Sequence, residues 1–326
     1  MRLGVVIVSH ESAAVLRSCI EACLRFARPD AGLLVVDNAS TDGSAAVAGS
    51  VPGVTVLHNS ANPGFAAAAN QGFRILESAD FILLLNPDAV LQSDIEPLVR
   101  CLDDPLTAIA AGALCQPAGV PQAGFTLRRF PTPAALAFEN MGLNRIWPRN
   151  PINRRWRCLD VDLTQACDAE QPAGAFLLIR RQAWARLGGF DGGFRPVWFE
   201  DVDFCFRVRK SGYRIRYEPL ALAVHKGGDS IRTLDWCRRQ LYWYGNLLRF
   251  ASLHFRPPGL LLVAVTVGIG VAVRGLWETL RRGSPDPLLA AGVVLRLAAA
   301  APWASVRPMH DEGLAGHPGV ATTERG

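Results

Sequence analysis

Leu83-Leu84-Leu85-Asn86-Pro87-Asp88 is an apolar run that ends on a carboxylate. A short continuous apolar run reads as a strand buried on both faces, the habit of parallel sheets. Polar residues at the end of such a strand face the crevice where α/β proteins bind ligands. The same grammar repeats upstream. Leu3–Ser9 is β-branched and continuous. Ser12 then stands where a helix cap belongs, ahead of a helix to about Phe26 with Val15, Leu16, Cys19, Ile20, Cys23 and Leu24 on one face. Leu33–Asp37 is a second strand, followed by a turn and a short Ala-rich helix, and Val54–His58 a third. Pro63-Gly64 turns into a helix from about Phe65 to Leu76, Phe81–Leu85 is the fourth strand, and Ser93 is expected to cap a helix through Cys101. This order, with short loops, predicts an α/β fold: a doubly wound, mostly parallel sheet flanked by helices.

Downstream the signals weaken. Six prolines between Pro117 and Pro151 interrupt the stretch from about Ala108 to Asp168, which reads as an excursion of loops and short elements facing a substrate. Order returns with an apolar strand at Gly174–Ile179, a helix at Arg181–Leu187 and the turn Gly188-Gly189-Phe190-Asp191. Trp198-Phe199-Glu200-Asp201-Val202-Asp203 sets three carboxylates in an aromatic frame and opens a helix to about Lys210. Tyr213–Tyr217 and Leu220–Val224 are expected as two short strands before His225. Asp235–Phe255 reads as an Arg- and aromatic-rich helix, and two apolar stretches follow, Gly259–Val273 and Leu288–Trp303. A spanning helix needs roughly 20 apolar residues, and both stretches fall short. Arg256, Arg274, Arg281 and Arg282 beside them favour an anionic leaflet, so this region is expected to lie on or shallowly in a membrane.

With 326 residues, 50% of them hydrophobic, the chain can bury a real core. Its net charge of +5 fits anionic substrates or an anionic membrane surface. No Lys/Arg run interleaves with aromatics and no zinc-finger spacing occurs, so nucleic acid is not an expected partner. Eight scattered cysteines read as reduced thiols, as in a cytosolic protein. Met1-Arg2-Leu3 runs straight into a strand without signal-peptide regions, so none is expected.

Several segments carry chemistry. Asp37-Asn38-Ala39-Ser40-Thr41-Asp42-Gly43-Ser44 follows a buried strand and suits either a base and ribose or a capping turn. Asn62 to Gly72 opens a helix of small residues, whose free N–H groups suit a phosphate and whose lack of bulk suits close packing on the sheet. Asp88 offers a hard oxygen ligand for a divalent cation on a phosphate, and His225 a further ligand or phosphate contact. Glu200 and Asp201 at a helix start meet a dipole that favours negative charge, which suits a general base for a hydroxyl acceptor.

These segments, with Val5–Ser9, Gly174-Ala175-Phe176 and Gly188–Asp191, occur in an order that resembles glycosyltransferase family 2, its rhamnosyltransferase-like subgroup in particular. The resemblance spans about residues 3–230. It implies a GT-A fold, a nucleotide-diphosphate sugar donor, Mg²⁺ or Mn²⁺, and inversion at the anomeric carbon by one in-line displacement. By that likeness Asp37 and Asn38 lie by the nucleoside, with Ser9, Asn62, Gly64, Phe65, Asn70 and Asn86 also on the donor. Asp88 holds the metal, with His225 near the diphosphate. Asp201 is the base, Glu200 orients it, and Gly174, Ala175, Phe176, Trp198 and Asp203 meet the acceptor. Residues 1–110 form the donor half, 111–235 the acceptor half, 236–305 a membrane-associating helical extension and 306–326 a disordered tail. The expected activity is transfer of a sugar, rhamnose from dTDP-rhamnose foremost, to a cell-envelope or lipid-linked saccharide at the cytoplasmic face of the plasma membrane. Two rivals are a catalytically silent sugar-binding or scaffold subunit and a nucleotidyltransferase. The intact Asp88, Glu200 and Asp201 speak against the first. Ser9-His10-Glu11-Ser12, where a Gly-rich basic loop would stand, speaks against the second. His10-Glu11 also departs from the Tyr-Asn pair usual in the resembled family.

Overall fold

A computed structural model describes residues 2–28, 30–227 and 234–302; the expected disordered tail lies outside them. Strands β1 (Leu3–Ser9), β2 (Gly32–Asn38), β3 (Val54–Asn59) and β4 (Phe81–Leu85) alternate with helices α1 (Ala13–Phe26), α2 (Ser44–Gly49) and α3 (Phe65–Ile75). Next come β5 (Ala89–Leu91), α4 (Glu96–Cys101) and β6 (Thr107–Cys115), then β7 (Leu127–Arg128), α5 (Pro133–Asn140), α6 (Leu143–Ile146) and α7 (Pro151–Trp156). The short strands β8 (Cys167–Asp168) and β9 (Gln171–Pro172) lead to β10 (Phe176–Arg180), α8 (Arg181–Arg186), α9 (Glu200–Lys210) and β11 (Arg214–His225). Three helices close the described chain: α10 (Trp236–His254), α11 (Pro257–Arg282) and α12 (Asp286–Ala300).

The main sheet runs β3-β2-β1-β4-β10-β6-β11-β5, with β8 on β11. β1, β2, β3 and β4 pair in parallel, as do β6 and β11. β10 runs antiparallel to both β4 and β6, and β5 antiparallel to β11. The expected α/β architecture therefore holds: most strands share one direction and β10, β5 and β8 oppose it. Side chains alternate between two cores. Val5 and Ile7 pack with α1, while Val6 and Val8 pack with α3, α8 and α9. The small residues of α3 serve close approach, since a Cβ on Gly72 would lie 2.6 Å from Val6 Cγ1. A third core joins α5 to α10, α11 and α12.

Four local expectations change. Thr107–Cys115, read as the start of a loop excursion, is a fully buried strand in the middle of the sheet. It escaped notice because it is rich in Ala, a poor strand former. Its small side chains are needed there: a Cβ on Gly112 would fall 2.0 Å from the Phe176 ring. Ser93 caps no helix, because its Oγ donates to Leu220 O and accepts from Leu222 N, while α4 starts at Glu96. Ser12 precedes α1 but donates to His10 O, and Asp42 Oδ2 accepts from Ala13 N in its place. The two expected strands before His225 are one, β11, with a register shift between Glu218 and Leu222.

Candidate active site

The parallel strands deliver their polar residues to one edge of the sheet. Ser9 and Asp37 are register partners at the ends of β1 and β2, and both are buried. Asp37 Oδ2 accepts from Ser40 N and meets His58 Nδ1 at 2.8 Å. Its Oδ1 and the Ser9 Oγ are buried without a partner among the described residues, which is rare for such groups. Asn38 Oδ1 accepts from Asn59, and its backbone carbonyl lies 2.9 Å from His10 Nδ1. Glu11, in the left-handed region at φ 50°, turns to the Thr41 N–H and hydroxyl and ties the two loops together.

β4 continues into Asn86-Pro87-Asp88. Asn86 N donates to Ala175 O at 3.0 Å, so the exit of β4 lies against the entry of β10. Asp88 Oδ1 sits 3.3 Å from His225 Nε2 at the end of β11, and the two side chains are 10% and 5% exposed. His225 is fixed on three sides. Its Nδ1 lies 3.2 Å from Gln122 Oε1, its carbonyl accepts from Gln122 Nε2, and Phe125 stacks on its ring at 5.2 Å. A carboxylate and an imidazole are a fitting pair for a divalent cation that keeps its other positions for waters and phosphate oxygens. Among the described residues no group of three or more His, Cys, Asp or Glu comes together.

On the other side of Ala175, Gly174 N donates to Asp201 Oδ2 at 2.9 Å, and Asp201 Oδ1 accepts from Val202 N. Gly174 is needed as a glycine, because a Cβ would stand 2.9 Å from Asp201 Cβ. Asp201 and Glu200 form the first turn of α9. The expected dipole does not set their charge state. Burial raises both carboxyls, Glu200 well above the ordinary value, with Asp201 adding to it; the Gly174 and Val202 N–H groups and Arg128 counter the rise at Asp201. Among the described residues Glu200 Oε2 has no hydrogen-bond partner.

The loop before α9 is strained: Trp198 and Phe199 have φ of 82° and 71°. It is braced from α10, where Asn246 Nδ2 donates to Arg195 O and Val197 O, and Trp243 packs against Trp198 and Phe199. The helix expected only as part of a membrane-associating extension thus shapes the site.

The other predicted site residues take different places. Asn62 Oδ1 accepts from Gly64 N, and Phe65 N donates to Pro196 O, so the start of α3 is bound to the 195–199 loop rather than open to a phosphate. Asn70 brackets the Gly188–Asp191 turn, donating to Phe190 O and accepting from Phe190 N. Phe176, expected at the acceptor, is buried in the sheet core against Gly112, where its apolar ring belongs. Asp203, also expected at the acceptor, is 2% exposed and bound by Arg207 Nε and His254 Nε2, both at 2.7 Å. A carboxylate two residues past Asp201 lies on another face of the helix, here the one packed on α10. Gln122, Phe125, Arg128 and Arg157 were not anticipated. They sit in the Pro-broken excursion, where no local periodicity marks them.

The chain matches a family model described as glycosyl transferase family 2 over residues 4–157, and one described as glycosyl transferase family group 2 over 167–309. It is 28% identical over 245 residues to an N-acetylglucosaminyl-diphospho-decaprenol L-rhamnosyltransferase of Mycobacterium tuberculosis, covering 70% of this chain and 77% of that one. It is 27% identical over 148 residues to the rhamnosyltransferase WbbL of Escherichia coli, covering 45% and 52%. In fold it is similar to a mannosyltransferase from Pyrobaculum calidifontis in complex with GDP-Man and Mn²⁺, with a TM-score of 0.53, 16% identity, and coverage of 93% and 87%.

Proposed function

The chain belongs to glycosyltransferase family 2, and on that premise we propose that it moves L-rhamnose from a nucleoside diphosphate to a hydroxyl of a lipid-linked saccharide, with inversion at the anomeric carbon. The observation that carries this reading is the continuous edge Asp88–Asn86–Ala175–Gly174–Asp201, joined by the Asn86–Ala175 and Gly174–Asp201 hydrogen bonds. It brings Asp88, a carboxylate suited to a divalent cation, to one side of a strand junction and Asp201, a carboxylate held by two N–H groups, to the other.

The donor's nucleoside fits the ends of β1 and β2, where the Asp37 Oδ1 and the Ser9 hydroxyl are buried without partners among the described residues. Asp88 and His225 would hold Mg²⁺ or Mn²⁺; bound there, the ion offsets charge on the departing diphosphate. Asp201 takes the proton of the acceptor hydroxyl as its oxygen forms the new bond to the anomeric carbon and the bond to the diphosphate oxygen breaks. One base and one displacement account for inversion. Rhamnose is supported by the two rhamnosyltransferase relatives, and a diphospholipid-linked acceptor by the first of them.

The apolar face of α11 supports work at the cytoplasmic face of the plasma membrane. α11 is long and apolar enough to cross a bilayer by length and composition, with a mean hydropathy of 2.1 over its best window. It packs on α5, α10 and α12 on one side and exposes Leu261, Val265, Ile269, Val273, Trp277 and Leu280 on the other. Arg256 before it and Arg281 and Arg282 at its end are exposed and suit anionic headgroups. We read it as lying in the interface, since its other side belongs to the protein core.

Calorimetry of the full chain with dTDP-rhamnose, UDP-sugars and GDP-sugars, with and without Mg²⁺ or Mn²⁺, tests the donor. Metal-dependent binding of dTDP-rhamnose, followed by transfer to a polyprenyl-diphosphate-linked N-acetylglucosamine, is expected. Transfer of another sugar would replace rhamnose, and no donor bound by folded protein would favour the silent subunit.

A further inference from the structure

Two arginines of the excursion, one of them acting electrostatically on the base, have no further role in the transfer step. Arg128 ends β7, which pairs with β9 at Gln171 just before Gly174. Arg157 follows α7. Both guanidinium groups lie over Trp156, at 5.6 and 5.3 Å from its ring, so one indole gathers two cations. Arg128 donates only from Nε, to Gly124 O, and among the described residues its two Nη groups have no partner. Arg157 donates to Asn153 Oδ1 and reaches Glu139 only at 3.4 Å from both carboxylate oxygens. Glu139 is already engaged by Asn144 Nδ2 at 2.7 Å. Burial and the Arg157 charge push Arg128 down to about 10, so it remains a cation near neutral pH in surroundings that do not fully offset it.

Their place in the fold gives this pair its meaning. Asp201 and Arg128 act on each other electrostatically. Arg157 leads to Glu139 on α5, and the next residue, Asn140, is tied to α11: its Nδ2 donates to Thr266 Oγ1 and its carbonyl accepts from Arg274 Nη1. Base, arginine pair and apolar helix therefore follow one another across the molecule. A diphospholipid-linked saccharide has the same sequence of parts: sugar hydroxyl, diphosphate, hydrocarbon. Ile146, at the end of α6, and Trp147 are 82% and 59% exposed.

We propose that Arg128 and Arg157 bind the diphosphate of a prenyl-diphosphate-linked acceptor, holding its sugar at Asp201 and its chain toward α11. Guanidinium groups match phosphate oxygens in a planar, two-point manner and stay charged throughout, which suits a diphosphate better than lysine would. This inference rests on the transferase reading for the role of the ligand, though not for its binding. It also separates the two diphosphates of the reaction, the donor's at Asp88 and His225 with a metal, the acceptor's at the arginine pair without one.

The test uses the full chain in detergent, with farnesyl diphosphate as probe and farnesol as its uncharged counterpart, in the presence of a chelator. Farnesyl diphosphate should bind, farnesol more weakly, and inorganic diphosphate should displace the former. Arg128→Gln with Arg157→Gln should weaken farnesyl diphosphate by about tenfold or more and leave Mn²⁺-dependent dTDP binding unchanged. In transfer assays the KM for acceptor should rise while that for donor stays. Arg128→Lys, a smaller perturbation, should give an intermediate loss, and thermal melting should show each variant folded. If farnesyl diphosphate and farnesol bind wild type alike, or the variants lose dTDP in parallel, the assignment is wrong. Should wild type bind farnesyl diphosphate by these arginines but no nucleoside diphosphate, the donor reading fails and the lipid-diphosphate site stands.

Discussion

The donor side and the acceptor side of this site are built by different means. On the donor side, Ser9, Asp37 and Asn38 end apolar strands and the sheet register aligns them, while Asp88 follows β4 three residues on and meets His225. On the acceptor side, Asp201 depends on Gly174 from another element, on a strained loop held by Asn246 of α10, and on Arg128 from the excursion. A strand end places a side chain through sequence immediately before it. A helix start preceded by left-handed residues needs outside contacts to stay where it is. The difference explains why one side reads as a series of motifs and the other as a set of distant dependencies.

The largest effect should come from Asp201→Asn, which keeps the shape and removes the base. It should lower kcat by about 10²–10⁴-fold while metal-dependent donor binding persists by calorimetry. Retained turnover would remove Asp201 as the base and leave the acceptor side without one. Two residues on, Asp203→Ala should break the comparison in the opposite sense. Its carboxylate is buried and bound by Arg207 and His254. Losing it strands the Arg207 guanidinium and the His254 ring and should cost about 3 kcal/mol of stability, read by chemical denaturation. The kcat of the protein still folded at low temperature should stay within about twofold of wild type, since the residue is not in the reaction. If instead kcat collapses without loss of stability, Asp203 meets the acceptor after all.

This contrast also marks how far the sequence could be read. The alternation through residue 101 and the family motifs were legible because buried parallel strands are apolar without interruption and end in polar turns. β6 was not, since its Ala-rich composition answers to the bulk of Phe176, a neighbour about sixty positions away in the chain. The face of α9 that Asp203 occupies was hidden for the same reason: only α10 makes it an interior face. The C-terminal helices looked like an appendage from their apolarity, yet Asn246 and Trp243 hold the loop that carries the base. Residues 108–168 hid Gln122 and Arg128, whose links to the site, to His225 and Asp201, join residues far apart in the chain.

A smaller effect probes the donor side's one remote dependency. Gln122 touches His225 through both its amide oxygen and its amide nitrogen and reaches no other catalytic candidate. Gln122→Ala should weaken Mn²⁺ affinity in the presence of dTDP by about tenfold, the scale for losing a group that orients a metal ligand. Metal-free binding of the nucleoside should not change. An unaltered Mn²⁺ titration would detach His225 from the metal and leave Asp88 to hold it alone.

The smallest effect concerns which carboxyl of the acceptor side carries the charge. Asp201 is raised by burial but held by two N–H groups and Arg128, while burial and the Asp201 charge raise Glu200 further against weaker backbone hydrogen bonds. Activity needs Asp201 ionised, so kcat/KM should fall as pH drops through its raised pKa, at a pH above the ordinary aspartate value of about 3.9. Glu200 works the other way on stability. Its folded pKa lies above its unfolded one, so its contribution is complete below the unfolded value and is lost as pH rises through the folded one. Glu200→Gln, which mimics the protonated group, should abolish that alkaline loss in thermal melts taken across pH. It should leave the acid limb of kcat/KM within about half a pH unit of wild type, because Asp201 already holds the charge. A limb that moves down by a full unit would mean that the two carboxyls share the charge, and the division of labour within the first turn of α9 would have to be redrawn.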